Sequence, residues 1–373
     1  MIRTRETALA WLASAGCAPE FLHDIFLQEP DPQRILEGFL RSACFPFGIE
    51  IPETAMIQLR KNCSEKHLNF WDEVIKREQI HAMTILDEDY PSGLRDLPEA
   101  PAILFDQGDR QALKGPSISI VGSRNASYKG IEATGKIAEE LSRNGIRIVS
   151  GLAYGIDAAA HKGCLKGGSP TVAVLGCGLD QDYPRENAGL RREICEKGGL
   201  VISEFSPGEK PLGWHFPWRN RIISGLGDAL VLMEARIRSG SMTTVQHALN
   251  QGRDVFVYPG EPGSIKAEGN HQLLREGAIF FTGAKDILED MGWLDKTSEM
   301  SHNNESSAKP VQEFLPAEKL ILEQLDGGEL SFDQLCERLE LPASQLGAMI
   351  SMLQLKGVVR ALPGKIFQLV TAN

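Results

Sequence analysis

No stretch of this 373-residue chain approaches the 18 or so consecutive apolar residues that a membrane-spanning helix needs. Met1-Ile2-Arg3-Thr4-Arg5-Glu6-Thr7 is not followed by an apolar run of signal type, so no secretory leader is expected. Cys-x-x-Cys pairs are missing. The seven cysteines (Cys17, Cys44, Cys63, Cys164, Cys177, Cys195, Cys336) are scattered and odd in number, which suits reduced thiols in the cytoplasm and argues against structural zinc. Positive charge is also short. With 39 Lys and Arg against 50 Asp and Glu, the net charge of −11 weighs against a non-specific polycation of histone type. The deficit is uneven: residues 1–115 carry −7 (12 basic, 19 acidic), 116–295 only −1 (20 and 21) and 296–373 −3 (7 and 10). A near-neutral middle with arginines gathered in turns can still build a local basic groove.

Several nucleotide-site signatures are absent too. The turn after Val121 lacks Gly-x-Gly-x-x-Gly, and Ser150-Gly151 stands where a dinucleotide site would place the acidic residue that holds a ribose, which disfavours NAD. Gly130-x4-Gly135-Lys136 has Walker A spacing. Ile137 replaces the required Ser or Thr, however, and the stretch lies inside a helical pattern whose N–H groups are not free, so ATP is not expected. Carboxylates able to converge on Mg²⁺ are too few for a metal-dependent nuclease. No metal or cofactor is therefore expected.

What is present is a clear rhythm. The length suggests two or three domains. Residues 1–90 read as short helices at 7–15, 19–26, 31–41, 52–62 and 68–77, followed by brief strands at 83–86 and 102–105. From residue 117, runs apolar on both faces (117–121, 147–150, 171–175, 200–203, 229–233, 254–258, 278–281) alternate with helical patterns near 130–143, 156–167, 187–197, 241–251 and 269–276. The alternation predicts an α/β domain over 91–295 with a doubly wound, mainly parallel sheet. Right-handed crossovers then bring the C-terminal strand ends to one rim. Residues 296–314 are polar and read as a linker. Residues 315–373 read as helices at 316–325, 331–339 and 342–356, then strands at 358–361 and 366–370 around Pro363-Gly364, the winged-helix order. The third helix holds one basic residue, Lys356, so a protein contact is as reasonable there as a duplex contact.

Polar turns on the expected rim carry the chemistry. Phe216-Pro217-Trp218-Arg219-Asn220-Arg221 sets arginines and aromatics just ahead of an apolar run. Gly122-Ser123-Arg124 precedes Ser127 at a helix start, and Ser239-Gly240-Ser241 precedes another. Arg185 follows Tyr183-Pro184 and can point onto the rim. Arginines beside free backbone N–H groups suit phosphate, and aromatics suit nucleobases. Ordinary N-capping by Ser127 or Ser241 explains those turns equally well. Asp157 and His161 form a conceivable acid–base pair, but a structural histidine is the simpler reading. Glu204 and Glu234 end neighbouring strands and would be the carboxylates of any hydrolytic site.

In this order, Gly122-Ser-Arg124, Ser150-Gly-Leu-Ala-x-Gly-Ile-Asp157, His161, Val174-Leu-Gly-x-Gly-Leu-Asp180, Tyr183-Pro184, Phe216-Pro-x-Arg-Asn-Arg-Ile-Ile-Ser-Gly225, Glu234-Ala235, Ser239-Gly-Ser241 and Pro259-Gly260 resemble the DNA-processing protein A family (DprA, also called Smf). The likeness is dense over 117–285. A flanking helical segment of sterile-α-motif or helix-hairpin type and a winged helix fit the family's three-part layout. The resemblance implies an extended Rossmann-like domain in a cytoplasmic protein of natural transformation that is not an enzyme. Such a protein binds and protects incoming single-stranded DNA, loads the RecA recombinase onto it and forms a homodimer through the α/β domain. It further implies DNA-binding roles for Gly122, Ser123, Arg124 and Ser127 at a phosphate-contacting turn, for Arg185, and for Phe216, Arg219, Asn220 and Arg221 around the pocket. The Ser239, Gly240 and Ser241 turn completes the expected interface. Tyr154 departs from the family, where a basic residue is usual, and Trp218 fills a variable slot. Stacking on bases or burial against the sheet would each account for them. The alternatives are a nucleotide or nucleoside hydrolase on the same rim, with Glu204 or Glu234 as base, and an adaptor working through its winged helix.

Overall fold

Five helices open the chain: α1 (Arg5–Ala13), α2 (Pro19–Gln28), α3 (Pro32–Ser42), α4 (Glu53–Asn62) and α5 (Glu65–Glu78). The structure is a computed structural model that describes residues 3–16, 19–42, 51–294, 316–325, 330–339, 346–347, 349–350, 353, 359–362 and 366–369. Thr4 caps α1 by accepting from the Thr7 N–H at 3.2 Å. Trp11 ties α1 to α4 through its indole N–H, which donates to the Leu59 carbonyl at 3.0 Å.

Nine strands follow: β1 (His81–Thr84), β2 (Ile103–Gly108), β3 (Ser117–Val121), β4 (Arg147–Ser150), β5 (Thr171–Val174), β6 (Leu200–Ser203), β7 (Ala229–Leu232), β8 (Asp254–Val257) and β9 (Ile279–Phe280). They form one sheet in the order β1-β2-β6-β5-β4-β3-β7-β8-β9. Strands β3 to β9 run parallel, while β2 is antiparallel to both β6 and β1. Every residue of β3 to β7 is buried, which is why these strands are rich in Val, Ile, Leu and Ala and carry only small or internally bonded polar residues such as Ser119, Thr171 and Arg147. The chain steps from β3 out to β6 and then returns to the far side of β3 as β7. The C-terminal ends of β3 and β7 therefore flank a topological switch point, the usual ligand crevice of such sheets.

The covering helices are α6 (Ser92–Arg95), α7 (Tyr128–Arg143), α8 (Ile156–Gly167), α9 (Ala188–Glu196), α10 (His215–Leu226), α11 (Gly240–Asn250), α12 (Glu268–Arg275) and α13 (Ala284–Asp290). The sequence pattern did not predict α10. Pro217 is tolerated in its first turn. Its middle residues Arg219, Asn220, Arg221 and Ser224 are all buried, so no polar face betrays the helical period. Gly130 and Gly135 both lie within α7, which removes the Walker A reading.

One apolar cluster joins Trp11, Phe39, Leu59 and Trp71 of the opening helices to Phe105, Leu175 and Val201 of the sheet. The Trp71 indole N–H also donates to the Pro207 carbonyl at 2.8 Å. The change near residue 90 is thus a change of element type without a break in the core, and Met1–His302 forms one compact unit. The second unit, Asn303–Asn373, contains α14 (Pro316–Leu325), β10 (Leu330–Ser331), α15 (Phe332–Leu339), β11 (Val359–Leu362) and β12 (Ile366–Leu369). Its antiparallel sheet has the order β10-β12-β11, and Ile321, Leu325, Leu335, Leu346, Ile350 and Leu353 build its core. The expected linker at 296–314 and most of the third helix at 342–356 fall outside the described residues.

Helices α7 and α8 approach closely through glycines. A Cβ on Gly163 would lie 2.4 Å from the Gly135 carbonyl oxygen, whereas one on Gly135 would meet nothing within 4 Å. Gly163→Ala should therefore destabilise the protein by about 1–3 kcal/mol through overpacking. Gly135→Ala should be neutral or stabilising by about 0.5–1 kcal/mol. Urea denaturation of the two variants checks this.

Candidate nucleic-acid interface

A cavity of about 670 Å³ opens over the switch point. Nine of the twelve expected residues line it: Gly122, Ser123, Arg124, Phe216, Arg219, Asn220, Ser239, Gly240 and Ser241. Asp157 and Tyr183 line it as well. Tyr183 belongs to the Tyr-Pro motif, but nothing in the sequence marks its ring, rather than the Arg185 guanidinium beyond it, as the group that lines the cavity.

The β3–α7 turn is fixed from beneath. The Ser123 N–H donates to the Glu234 carbonyl at 2.7 Å, and the Ser127 N–H donates to the Glu234 carboxylate at 2.6 Å. Gly155, at φ +71°, brings the β4–α8 loop against this turn, and a Cβ there would sit 2.4 Å from the Ser123 carbonyl oxygen. The Ser127 hydroxyl accepts from the Gly130 N–H at 3.0 Å, so it is an ordinary helix cap and does not line the cavity. At α11 the capping position is Ser239. Its side chain makes no cap bond and its Oγ is buried without a partner among the described residues. The first N–H groups of α11 are thus left to a ligand or to water, with the positive end of the helix dipole behind them.

Arg124 is exposed at the mouth and enters none of the ion pairs found among the described residues. Its guanidinium carbon lies 5.1 Å from the Phe216 ring centroid, and Phe216 and Tyr183 have centroids 5.2 Å apart with planes inclined by 32°. An exposed cation and two aromatic rings therefore share one wall of the cavity.

Arg219 is 3 % exposed. Its Nη1 donates to the Gly151 carbonyl at 3.0 Å and to the Val174 carbonyl. Burial pulls its pKa down to about 10, opposed by the nearby Asp157 carboxylate. Burial likewise raises the Asp157 pKa, with Arg219 opposing. Asn220 donates from Nδ2 to the Gly240 carbonyl at 3.2 Å and to the Thr243 hydroxyl at 3.0 Å, binding α10 to the start of α11.

Three expected contacts are placed elsewhere. Arg221 is 2 % exposed and points away from the cavity. It forms a two-pronged ion pair with Glu204 at 2.7 Å on both prongs, donates to the Glu99 carbonyl at 2.9 Å and stacks under Trp218 at 4.3 Å. Its charge is satisfied internally, so the expectation of a phosphate contact is corrected to a structural role. Ser127 is the cap already described. Arg185 is exposed at the start of a short 3-10 turn and lies outside the cavity wall. Tyr154 is exposed and donates to the Glu186 carboxylate; Trp218 is half-buried against Arg221. Glu204 and Glu234 are both engaged in the scaffold and neither lines the cavity.

His161 is fully buried. The Thr171 hydroxyl gives its proton to the Ile148 carbonyl at 2.6 Å, so the 2.8 Å contact with His161 Nδ1 requires the imidazole to donate there. Nε2 is then the bare nitrogen, and it has no partner among the described residues. No group of three or more His, Cys, Asp and Glu among the described residues is arranged to hold a metal ion.

A doubly wound sheet with a cation- and aromatic-lined crevice, and a second unit that follows it, place the protein among Rossmann-like proteins with an added C-terminal domain. Residues 81–292 match the model of the family described as DNA recombination-mediator protein A, and residues 305–365 match that of the DprA winged helix domain. The DNA processing protein DprA of Streptococcus pneumoniae is 42% identical over 228 residues, 61% of this chain and 80% of that protein. Protein Smf of Escherichia coli is 38% identical over 296 residues, 78% of each. The X-ray structure of Streptococcus pneumoniae DprA superposes with a TM-score of 0.64 at 34% identity, covering 77% of this chain and 98% of that one. Helicobacter pylori DNA processing protein A, whose structure is described for its single-stranded DNA binding mode, superposes with a TM-score of 0.52 at 28% identity, covering 57% and 95%. The chain belongs to the DNA recombination-mediator protein A (DprA/Smf) family. The Rossmann-like fold and the C-terminal winged helix are those of the family.

Two measurements check the scaffold roles. Arg221→Ala leaves the mostly buried Glu204 without its ion-pair partner, so stability should fall by about 1.5–3 kcal/mol in chemical denaturation. Burial lowers the His161 pKa to about 3. Below the ordinary histidine pKa the unfolded chain binds a proton that the native state refuses, so stability falls with acidity from about pH 6.5 downward. His161→Gln should reduce the slope of stability against pH between 5 and 6.5 by up to about 1.4 kcal/mol per unit.

Proposed function

We propose that the cavity over the switch point binds single-stranded DNA without turnover. The carrying observation is the exposed Arg124, outside every ion pair among the described residues, over the Phe216 ring that in turn contacts Tyr183, beside the Gly122–Arg124 turn and the open N-terminus of α11. Arg124 and the backbone N–H groups meet phosphates, and the rings accept bases with little sequence preference. The Helicobacter pylori relative, described for single-stranded DNA binding, supports the ligand class. A hydrolase is the weaker reading because both candidate bases, Glu204 and Glu234, are tied into the scaffold.

By extension from the family, the protein acts in the cytoplasm during natural transformation. There it protects incoming strands and loads RecA recombinase onto them, as a homodimer assembled through the α/β domain. Two linked sites on one strand would gain effective concentration. Arg185, exposed beyond the cavity, is positioned for a phosphate outside it.

Arg124→Ala should weaken binding to an unstructured oligonucleotide about tenfold and reduce the salt slope by roughly 0.7, at unchanged stability. Fluorescence anisotropy at several salt concentrations measures both quantities. Unaltered affinity and slope would remove Arg124 from the interface.

A further inference from the structure

On the other flank of the first turn of α10 lies a second cavity, of about 680 Å³, between the ends of α1 and α4 and the loop from β6 to α10. We propose that this cleft is a second stacking subsite for nucleobases of the same strand, a reading that rests on the single-strand assignment above. Trp214 stands at its edge with 62 % exposure. The indole meets the His215 ring edge-on at 4.2 Å, and His215 stacks on Phe205 at 3.9 Å. This is a rigid aromatic step with one side open to solvent, at the scale of a ligand site.

The charge of the lining selects bases over phosphates. No Lys or Arg among the described residues lines the cleft. Its two carboxylates are Glu204, held by Arg221, and Glu209, which lies 3.9 Å from His215 Nε2. Gln58 and Asn62 on α4 add neutral donors and acceptors that any base edge can use.

Continuity with the first cavity names the occupant. Gly213, Phe216 and Pro217 line the first cavity, while Trp214, His215 and Trp218 line the second. The two sites are separated by the body of one helix, about 10 Å, a distance that a few nucleotides of extended strand cover. A strand held at Arg124 can therefore continue over the α10 N-terminus and set its next bases against Trp214.

The test is an anisotropy titration of Trp214→Ala and Trp214→Phe against unstructured single strands of about 2 nucleotides, too short to reach both cavities, and of about 20, with thermal unfolding of each variant. Trp214→Ala should bind the short strand as the unsubstituted protein does and lose about tenfold on the long one, while Trp214→Phe recovers most of that loss. Equal loss on both lengths, no loss on the long strand, or failure of Trp214→Phe to recover overturns the second subsite. An unsubstituted protein that binds neither strand overturns the single-strand assignment itself and the second subsite with it. One that binds both, with Trp214→Ala unchanged, removes the second subsite alone.

Discussion

Arg219 is a cation almost wholly out of water, and the rim of the sheet is organised around it. Carbonyls at the C-terminal ends of parallel strands point past the last hydrogen-bonded partner, and inside a protein they must find a donor. The guanidinium, with five N–H groups in a fixed plane, serves Gly151 after β4 and Val174 at the end of β5 together. Asp157 balances the charge from the start of α8. Because Arg219 is carried by α10, the same contact clamps that helix onto the sheet. Its neighbours extend the clamp, Asn220 to the start of α11 and Arg221 to Glu204. Three consecutive polar side chains thus reach three different parts of the fold.

This changes how the Phe-Pro-x-Arg-Asn-Arg signature should be understood. A run of arginines beside aromatics suggests contact with a polyanion, and one side chain of the run, Phe216, does share its wall with an exposed cation. The arginines themselves, however, are mainly scaffold. Among the described arginines that line the cavity, the exposed one is Arg124, one element away in a turn that Glu234 holds from below. A charge already committed to a buried carboxylate, like that of Arg221, has little to offer a ligand.

The sheet was legible because β3 to β7 are buried on both faces and concentrate Val, Ile, Leu and Ala in short segments, and most of the helices flanking them show their period plainly. The locations of the polar turns followed from strand order alone, and they do converge. What could not be read was the direction of side chains. Arg219, Arg221 and Arg124 are chemically identical in a sequence, and only packing distinguishes a guanidinium turned toward strand ends from one turned toward solvent. Helix α10 escaped notice for the same reason, since buried polar residues erase the amphipathic pattern. The break expected near residue 90 was a change of periodicity. It did not reveal that Trp11 and Trp71 pack into one core with Phe105 and Leu175.

The wall formed by Arg124, Phe216 and Tyr183 has a thermodynamic corollary. In the free protein Phe216 already has Arg124 and Tyr183 as neighbours, so a base bound as proposed would not cover bare hydrocarbon but would trade places with one of them. The net gain is a difference between two similar stacking terms, and such a difference varies little from purine to pyrimidine. Indifference to sequence would then come from exchange at a self-satisfied surface, without any need for a loose or featureless pocket.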